Sequence, residues 1–335
     1  MHNKRFELYK KLEEARKSRV IAYITGDRES WNTQIAYDAL PLFTEHLDAM
    51  GVVKKISLFL YTRGGMTMAA WAIINLIRSF CDELEIIIPF HCHSAGTLMC
   101  LGANCIVMTK QATLGPIDPS LTGPMNPIIP GVPFPNNRYA VSVEHVNAYL
   151  DIAKKDLKIK NQDSLAKILI DLSNKIHPLT LGAVYKSTNQ IKMLAEKLLK
   201  HSDLDADKKK KLISFLCSES GSHDYAINRR EAKDNLGLNI EKPTENLYTL
   251  IKDIYKNIED SLLLKHSYNA QTYYEENKKN TNGQLTAVYR FERGLVESLA
   301  GGSDIYISEG TLSLIQTPQG PMLNDFRKKE GWEHV

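Results

Sequence analysis

The first 120 residues alternate between short continuous apolar runs and segments with helical spacing of apolar positions. Continuous runs are typical of strands that are buried on both faces of a parallel sheet. The predicted strands are 20–26, 56–62, 84–89 and 105–109. The predicted helices are 4–18, 33–50, 66–80 and 94–104. Strands and helices that alternate through short connections favour right-handed crossovers, so this part of the chain predicts an α/β fold with a parallel sheet.

The pattern changes after residue 118. The stretch 121–137 is rich in proline and predicts an extended loop. Helical patterns return at 142–175, 177–200 and 244–279. The tail from 284 to 315 contains short strand-like pieces, which predict a small appended α+β element. The expected organisation is an N-terminal helix (1–19), a main domain (20–243) and a C-terminal helical and small α+β extension (244–335).

The composition excludes several classes of protein. Of the 335 residues, 43% are hydrophobic and 24% are charged, which is typical of a globular protein with a sizeable core. A net charge of +3 gives no one-sided field for nucleic acid, and the lysine run at 205–211 predicts a solvated helix start. The N-terminus lacks the apolar core of a signal peptide, and no apolar stretch reaches the roughly 20 residues that span a bilayer, so we expect no membrane insertion. The cysteines are odd in number and lie mostly in apolar segments, which favours reduced thiols and a cytoplasmic location.

Candidate chemistry is concentrated at two junctions where a predicted strand ends and a helix begins. The first junction, at 60–67, contains Gly64 and Gly65, and paired glycines let the backbone approach a ligand closely. The second junction, at 89–97, places Ser94 at the start of a helix. Such a serine is either a plain N-cap or a nucleophile whose oxyanion is stabilised by the free N–H groups of the helix start. Because the carboxyl ends of parallel strands bind ligands at one edge of a sheet, the pairing of the two junctions favours the nucleophile.

Histidine and cysteine residues on both sides of Ser94 raise the question of a metal site. His91 and His93 lie directly before it, and Cys100 and Cys105 follow. The spacing contains neither C-x-x-C nor H-E-x-x-H, and the cysteines lie in predicted helix and strand cores. We therefore expect no metal, and His93 is a candidate that lines or tunes a site at Ser94.

The motifs of residues 56–120 resemble those of a known family. They are T-R-G-G-x(4)-A from Thr62, S-A-G-T-L from Ser94 and L-G-P-I-D-P from Leu114, joined by apolar strands. Together they resemble the serine dehydrogenase proteinase family, which is similar to the Clp protease and signal peptide peptidase A group. The resemblance is dense over 56–120 and looser over 20–240. It implies a Clp/crotonase-like fold with a largely parallel central sheet flanked by helices, and a serine peptidase that needs no cofactor.

Carried over residue by residue, the resemblance makes Ser94 the nucleophile and assigns the oxyanion hole to the backbone N–H groups of Gly65 and Ala95. A later stretch is similar to the segment that brings the last carboxylate of a Clp-type triad, and Asp224 stands at the carboxylate position. The sequence departs from the Clp pattern at Asp118, because Clp-type enzymes place their catalytic histidine at about this position.

This departure leaves open which residue deprotonates Ser94. The preferred assignment is His223 as the base with Asp118 as its partner, an exchange of chain positions that keeps the geometry of a triad. The alternative is a Ser–Lys dyad, since a buried lysine has a depressed pKa and acts as a base. Its candidates are Lys154, Lys155 and Lys186, although all three lie in helices rich in surface lysine. The plain alternatives are that His223 caps a helix and that Asp118 forms a turn between two prolines.

These assignments predict acyl-transfer chemistry on peptide or protein substrates. Nicotinamide chemistry is not supported, because the chain has no glycine-rich dinucleotide fingerprint. Two alternatives remain: a crotonase-like enzyme that acts on acyl groups, and a non-catalytic module that keeps the fold for assembly or binding. Relatives assemble into rings or trimers, so the resemblance also implies a homo-oligomer. The N-terminal helix and the tail after residue 244 are candidates for subunit contacts or for contact with a partner protein.

Overall fold

The computed structural model describes residues 2–117, 120–132, 137–220, 222, 224–281, 284–318 and 320–335. The helices are α1 (His2–Arg16), α2 (Leu40–Met50), α3 (Thr67–Arg78), α4 (Ala95–Cys100), α5 (Val143–Asp151), α6 (Gln162–Lys175), α7 (Pro178–Leu198), α8 (Ala206–Ser214), α9 (Arg229–Asp234), α10 (Glu245–Ser261) and α11 (Ala270–Asn277). The strands are β1 (Arg19–Thr25), β2 (Val53–Tyr61), β3 (Cys81–Ile88), β4 (His91–Cys92), β5 (Cys105–Met108), β6 (Thr113–Leu114), β7 (Ser120–Leu121), β8 (Val141–Ser142), β9 (Ile227–Asn228), β10 (Ile240–Glu241), β11 (Lys279–Thr281), β12 (Gln284–Ser298), β13 (Gly302–Thr317) and β14 (Gly320–His334). No helix in these residues is long and apolar enough to cross a membrane.

Nine strands of the described chain form one sheet, in the order β10-β5-β3-β2-β1-β12-β13-β14, with β11 paired to β12. The strands from β10 to β1 are parallel to one another. The strands from β1 to β14 are antiparallel. Parallel neighbours need crossover connections, and α2, α3 and α4 lie in the connections between β1, β2, β3 and β5. The prediction of a mixed α/β protein with a large central sheet and flanking helices is confirmed.

Two hydrophobic layers cover the two faces of this sheet. Leu58 and Leu60 of β2 pack in the first layer with residues of α2, α3, α4 and α7. Phe59 and Tyr61 pack in the second layer with residues of α1 and α10. Because successive side chains of a strand point to opposite faces, a strand buried on both faces requires a continuous apolar run. The uninterrupted apolar run at residues 58–61 therefore follows from the central position of β2 in the sheet.

The tail differs from the small appended element that its short strand-like pieces predicted. Strands β12, β13 and β14 are 15, 16 and 15 residues long. β12 pairs with β1 so that Ile21 lies opposite Ser298 and Thr25 lies opposite Gly294, and the tail therefore extends the central sheet. Polar residues interrupt its strands, so they lack the continuous apolar run that marks a central strand. The domain boundary at residue 244 stays a prediction.

Several predicted helices are shorter in the structure. The helix predicted from residue 33 begins at Leu40, after an extended Ala36 and a 3-10 turn at Tyr37–Ala39. The long helices predicted from residues 142 and 244 are each interrupted by a residue in the left-handed region. These residues are Lys158, with φ of 54°, and Leu263, with φ of 53°. A left-handed residue cannot continue a right-handed helix, and neither lysine nor leucine marks such a position in the sequence.

A small three-stranded sheet, β4-β6-β9, joins three distant stretches of the chain. Cys92 lies opposite Leu114 in the parallel pair β4–β6, and Leu114 lies opposite Ile227 in the antiparallel pair β6–β9. The backbone of Thr62, directly after β2, receives a 3.0 Å hydrogen bond from His93 N and donates one of 3.0 Å to the residue 91 carbonyl. This sheet therefore sits at the carboxyl end of β2, where the two predicted junctions meet.

The buried ion pair between Arg5 and Glu297 joins α1 to the tail strand β12. Both side chains are fully buried, Arg5 Nε lies 2.6 Å from Glu297 Oε2, and Tyr9 donates a 2.8 Å hydrogen bond to the same oxygen. We expect Arg5→Met to lower the free energy of unfolding by about 3–5 kcal/mol, because it leaves a buried carboxylate uncompensated. Urea denaturation followed by circular dichroism measures this change. The control Arg19→Met removes an exposed pair with Glu13 and should cost below about 1 kcal/mol, and equal effects would contradict the prediction.

Candidate active site

Ser94 occupies a sharp turn between β4 and α4. Its backbone has φ of 51° and ψ of −116°, a combination that L-residues seldom adopt and that costs about 1–3 kcal/mol. The side chain is half-buried and makes no capping hydrogen bond to α4. Among the residues that the structure describes, Ser94 Oγ has no hydrogen-bond partner. Ser94 therefore does not serve as the plain N-cap that its sequence position allows.

The glycine pair lies directly against this turn. A Cβ added to Gly64 would stand 2.8 Å from Ser94 Cβ and 3.2 Å from Ser94 Oγ. A Cβ added to Gly65 would stand 2.3 Å from the Ile35 carbonyl oxygen. Both glycines have left-handed φ values, 118° and 144°, which side-chain-bearing residues rarely adopt. The structure thus brings the two strand-to-helix junctions into contact, and only glycine fits at either position of the pair.

Two backbone N–H groups at this contact are not used by the part of the fold that the structure describes. Ile35 N donates to the Gly64 carbonyl over 2.8 Å, and Met66 N donates to the Ile35 carbonyl over 2.8 Å. This isolated β-bridge between Ile35 and Gly65 therefore uses the backbone groups on either side of the Gly65 N–H. At the other junction Gly96 N donates to the carbonyl of residue 93 over 2.9 Å. In the part of the chain that the structure describes, neither Gly65 N–H nor Ala95 N–H has an acceptor. Unpaired amides beside a hydroxyl at a helix N-terminus are suited to binding an oxyanion.

Two threonine hydroxyls fix the turns on either side of Ser94. Thr62 Oγ1 accepts hydrogen bonds from Gly64 N over 2.9 Å and from Thr25 Oγ1 over 2.6 Å. Thr97 Oγ1 donates to the carbonyl of residue 92 over 3.0 Å and accepts from Gly115 N over 3.1 Å. The sequence patterns alone do not point to either threonine. Thr62 begins the T-R-G-G motif, so its position could have suggested a role, whereas the contact of Thr97 with residue 115 depends on the tertiary fold.

The two histidines before Ser94 contact β6. His93 Nε2 lies 2.9 Å from Thr113 Oγ1, and the ring centroids of His91 and His93 are 5.0 Å apart. Burial lowers the pKa of His91 to about 4, with a further contribution from the positive charge of Arg63. The His91 imidazole is therefore neutral at neutral pH.

The depressed pKa of His91 predicts acid sensitivity of the fold. At pH values above about 6.5, the usual histidine pKa, the ring is neutral in both folded and unfolded states. As pH falls from there towards 4, the unfolded state binds the proton more tightly, so stability is lost. We expect His91→Gln to lose less unfolding free energy than wild type between pH 7.5 and pH 4.5. Urea denaturation at several pH values measures this, and the exposed His145→Gln is the control; parallel curves for wild type and His91→Gln would contradict it.

Of four further candidate residues, two lie in the part of the chain that the structure describes and two do not. Asp118 and His223 lie outside the described residues. Asp224 is exposed, and its backbone N donates to Ser222 Oγ over 3.2 Å. Lys186 is exposed on α7. Neither Asp224 nor Lys186 is held at Ser94 by a hydrogen bond within the described chain.

The other two lysine candidates also face solvent. Lys154 and Lys155 are exposed after α5, and Lys155 forms an ion pair with Asp151 over 2.8 Å. The hydrogen bond and charge of Asp151 raise the pKa of Lys155, which is opposite to the shift that a lysine base requires.

One cluster has donor atoms close enough to hold a cation. Ligand atoms of Glu85, Cys105 and Glu241 lie within 4.8 Å of one another. The Arg16 guanidinium bonds to both carboxylates, and Lys55 Nζ lies 3.0 Å from Glu85. Burial acts to raise the pKa of Glu85, but hydrogen bonds from Arg16, Lys55 and a serine hydroxyl hold it below its ordinary value. These cations already neutralise the cluster, so it is an ion-pair network.

Comparisons with known proteins agree with the motifs. A family model of the ClpP-like SDH-type serine proteinases matches residues 1–282. Two uncharacterized proteins of Methanocaldococcus jannaschii are similar to this chain. One is 30% identical over 204 residues, which cover 61% of this chain and 59% of that protein. The other is 26% identical over 246 residues, which cover 71% of each chain. This chain thus spans less than two thirds of the first relative.

Two solved structures of mutants of the 1510-N membrane-bound stomatin-specific protease are also similar, one of them in complex with a substrate peptide. Their TM-scores are 0.38 and 0.39 at 16% and 15% identity, with 68% and 70% of this chain and 78% and 85% of those chains covered. At such scores the assignment rests on the family model, which covers more than half of the chain. It confirms the resemblance seen in the motifs, and the chain belongs to the ClpP-like SDH-type serine proteinases.

Proposed function

We propose that the protein is a serine peptidase that cleaves peptide bonds through an acyl-enzyme on Ser94. The observation that carries this proposal is the arrangement at the two junctions. A strained turn presents a hydroxyl without a partner in the described chain, next to two amides without acceptors there. A strained residue of this kind persists only when its surroundings hold it, and such residues are concentrated at functional sites.

The chemistry proceeds in two acyl transfers. Ser94 Oγ attacks the peptide carbonyl carbon while a base takes its proton, and the oxyanion accepts hydrogen bonds from Gly65 N–H and Ala95 N–H. The proton then passes to the leaving amine as the C–N bond breaks. Water, deprotonated by the same base, attacks the acyl-enzyme, and its collapse releases the acid and returns the proton to Ser94.

His223 is the base in this proposal, with Asp118 as its partner. The register of the small sheet supports it, since Leu114 of β6 pairs with Cys92 of β4 on one side and with Ile227 of β9 on the other. Asp118 follows Leu114 by four residues and His223 precedes Ile227 by four, and four residues of chain span at most about 14 Å. The alternatives are Asp224 as the orienting carboxylate, and Lys186 or His93 as the base. Exposure of Lys186 on α7 favours the histidine.

A fluorophosphonate probe tests the proposal against its rivals. A serine peptidase should react once per active site, and trypsin should release the adduct on residues 79–110, a peptide whose two serines are Ser79 and Ser94. Fragmentation spectra should place the adduct on Ser94. A crotonase-like enzyme or a binding module needs no activated serine, so absence of labelling together with absence of turnover across a peptide library would overturn the proposal.

We further propose a homo-oligomer in a reducing, cytoplasmic compartment. All five cysteines are free thiols, which fits a compartment that keeps thiols reduced. The extension from residue 244 is the candidate surface for a partner protein or for subunit contacts. Light scattering coupled to gel filtration gives the oligomeric state, and a monomeric mass at working concentrations would contradict the first part.

A further inference from the structure

Arg293 of the tail strand β12 makes several contacts to the loop that follows β1. Its carbonyl oxygen accepts hydrogen bonds from Gly26 N over 2.9 Å and from Thr33 Oγ1 over 3.1 Å. Its guanidinium donates to the Trp31 carbonyl over 3.0 Å and to the Asn32 carbonyl over 2.6 Å. One residue therefore holds both ends of the segment 26–33 by main-chain and side-chain bonds.

The Arg293 side chain is itself held in one orientation. The guanidinium forms an ion pair with Glu330 of β14 over 2.5 Å and a 2.8 Å hydrogen bond with Ser308 of β13. It also lies 5.4 Å from the ring centroids of both Trp31 and Tyr306. Only 10% of the side chain is exposed. Because the planar guanidinium has partners on both sides, the Arg293 side chain keeps little conformational freedom, and it holds its loop partners in a fixed position.

The anchored segment leads directly to the glycine pair. Two residues after Thr33, Ile35 pairs with the backbone on either side of Gly65 through two hydrogen bonds of 2.8 Å. Thr33 N also donates to the Gly26 carbonyl over 2.8 Å, which closes the loop at its base. Because two residues span at most about 7 Å, anchoring Thr33 restricts where Ile35 can lie, and with it the Gly65 N–H.

We infer that Arg293 is a positioning residue, which sets the direction of the Gly65 N–H through the segment 31–35. This inference rests on the proposed function, in which that N–H binds the oxyanion. Arg293 lies beyond residues 1–282, which the family model matches, so the device belongs to the tail of this chain. The tail strands thereby contribute to the active site without contacting substrate.

The test compares three variants in the full-length protein. Arg293→Met removes the guanidinium, and Arg293→Lys keeps the positive charge without it. Arg290→Met is the control, because it makes the same substitution at another arginine of β12. Arg290 lies three residues earlier on β12 and pairs with Glu309 and Glu333, and within the described chain it makes no hydrogen bond or ion pair to the loop. For Arg293→Met we expect kcat to fall by about 10- to 100-fold with KM within about twofold, because an oxyanion donor acts mainly in the transition state and is worth about 10²–10³ in kcat. Arg293→Lys should be intermediate and Arg290→Met unchanged.

Hydrogen–deuterium exchange supplies a readout that does not depend on activity. Amides of residues 31–36 and 64–66 should exchange at least about tenfold faster in Arg293→Met, while those of β2 and β3 should not change. Unchanged exchange and unchanged kcat in Arg293→Met would overturn the inference. Turnover that is independent of Ser94 would instead overturn the proposed function, and faster exchange would then still show the positioning contact. If Arg293→Met does not fold, Arg293→Lys carries the same comparison.

Discussion

Replacing Ser94 with alanine is expected to abolish fluorophosphonate labelling and to reduce kcat for peptide cleavage by about 10⁴-fold or more. The loss is large because, in the proposed mechanism, the hydroxyl oxygen forms the acyl-enzyme and no neighbouring group takes over this step. The fold should not change, since Ser94 Oγ makes no hydrogen bond within the described chain. Alanine also carries the same Cβ into the turn at φ of 51°, so backbone strain is matched. Initial rates on a fluorogenic peptide, with thermal unfolding as a check, measure the effect.

Ser79→Ala is the matched control for this experiment. Ser79 lies on the same tryptic peptide, is exposed at the end of α3, and its hydroxyl donates to the Asn75 carbonyl over 3.1 Å. It should keep full labelling and full activity. Wild-type turnover by Ser94→Ala, at the same purity, would show that another residue or a contaminant performs the cleavage.

Replacing His223 with alanine is the prediction with the second largest effect. A general base contributes about 10²–10⁴-fold, and we expect kcat to fall within that range. Asp118→Asn should lower kcat as well, because a carboxylate that orients a histidine also selects its tautomer. A histidine base predicts that kcat/KM of the wild type rises with pH as the imidazole loses its proton. Steady-state kinetics between pH 5 and pH 9 measure both effects.

The competing bases are tested by the same assay. Lys186→Met should leave kcat unchanged, since Lys186 is exposed on α7. A loss of kcat in Lys186→Met but not in His223→Ala, together with a wild-type kcat/KM that rises only at alkaline pH, would indicate a Ser–Lys dyad instead of a histidine base. A loss in His93→Gln with His223→Ala active would assign the base to the residue next to the nucleophile. Asp224→Asn distinguishes the two carboxylates, because only the partner of the base should change the pH profile.

Much of the architecture could be predicted from local patterns. A strand in the centre of a sheet has both faces covered, so it needs an apolar run, and residues 58–61 of β2 and 86–88 of β3 show this directly. The turns could be predicted for a similar reason: Gly64, Gly65 and the Ser94 stretch stand where strand patterns end and helical patterns begin. The tail could not, because alternating polar residues in β12 to β14 are compatible with short isolated strands as well as with long paired ones.

The amino-acid sequence by itself determined the family, the parallel strand-and-helix order and the candidate nucleophile, because these depend on side-chain type and local spacing. Only the tertiary structure decided three features of the site. The Ser94 hydroxyl does not cap α4, Ile35 forms backbone hydrogen bonds on either side of Gly65, and Arg293 anchors the loop that leads to Ile35. These features join residues that are tens to hundreds of positions apart. The Ile35 pairing uses backbone hydrogen bonds, which any residue can provide, and the Arg293 side chain bonds to residue 31, 262 positions away, so neither contact leaves a local mark in the sequence.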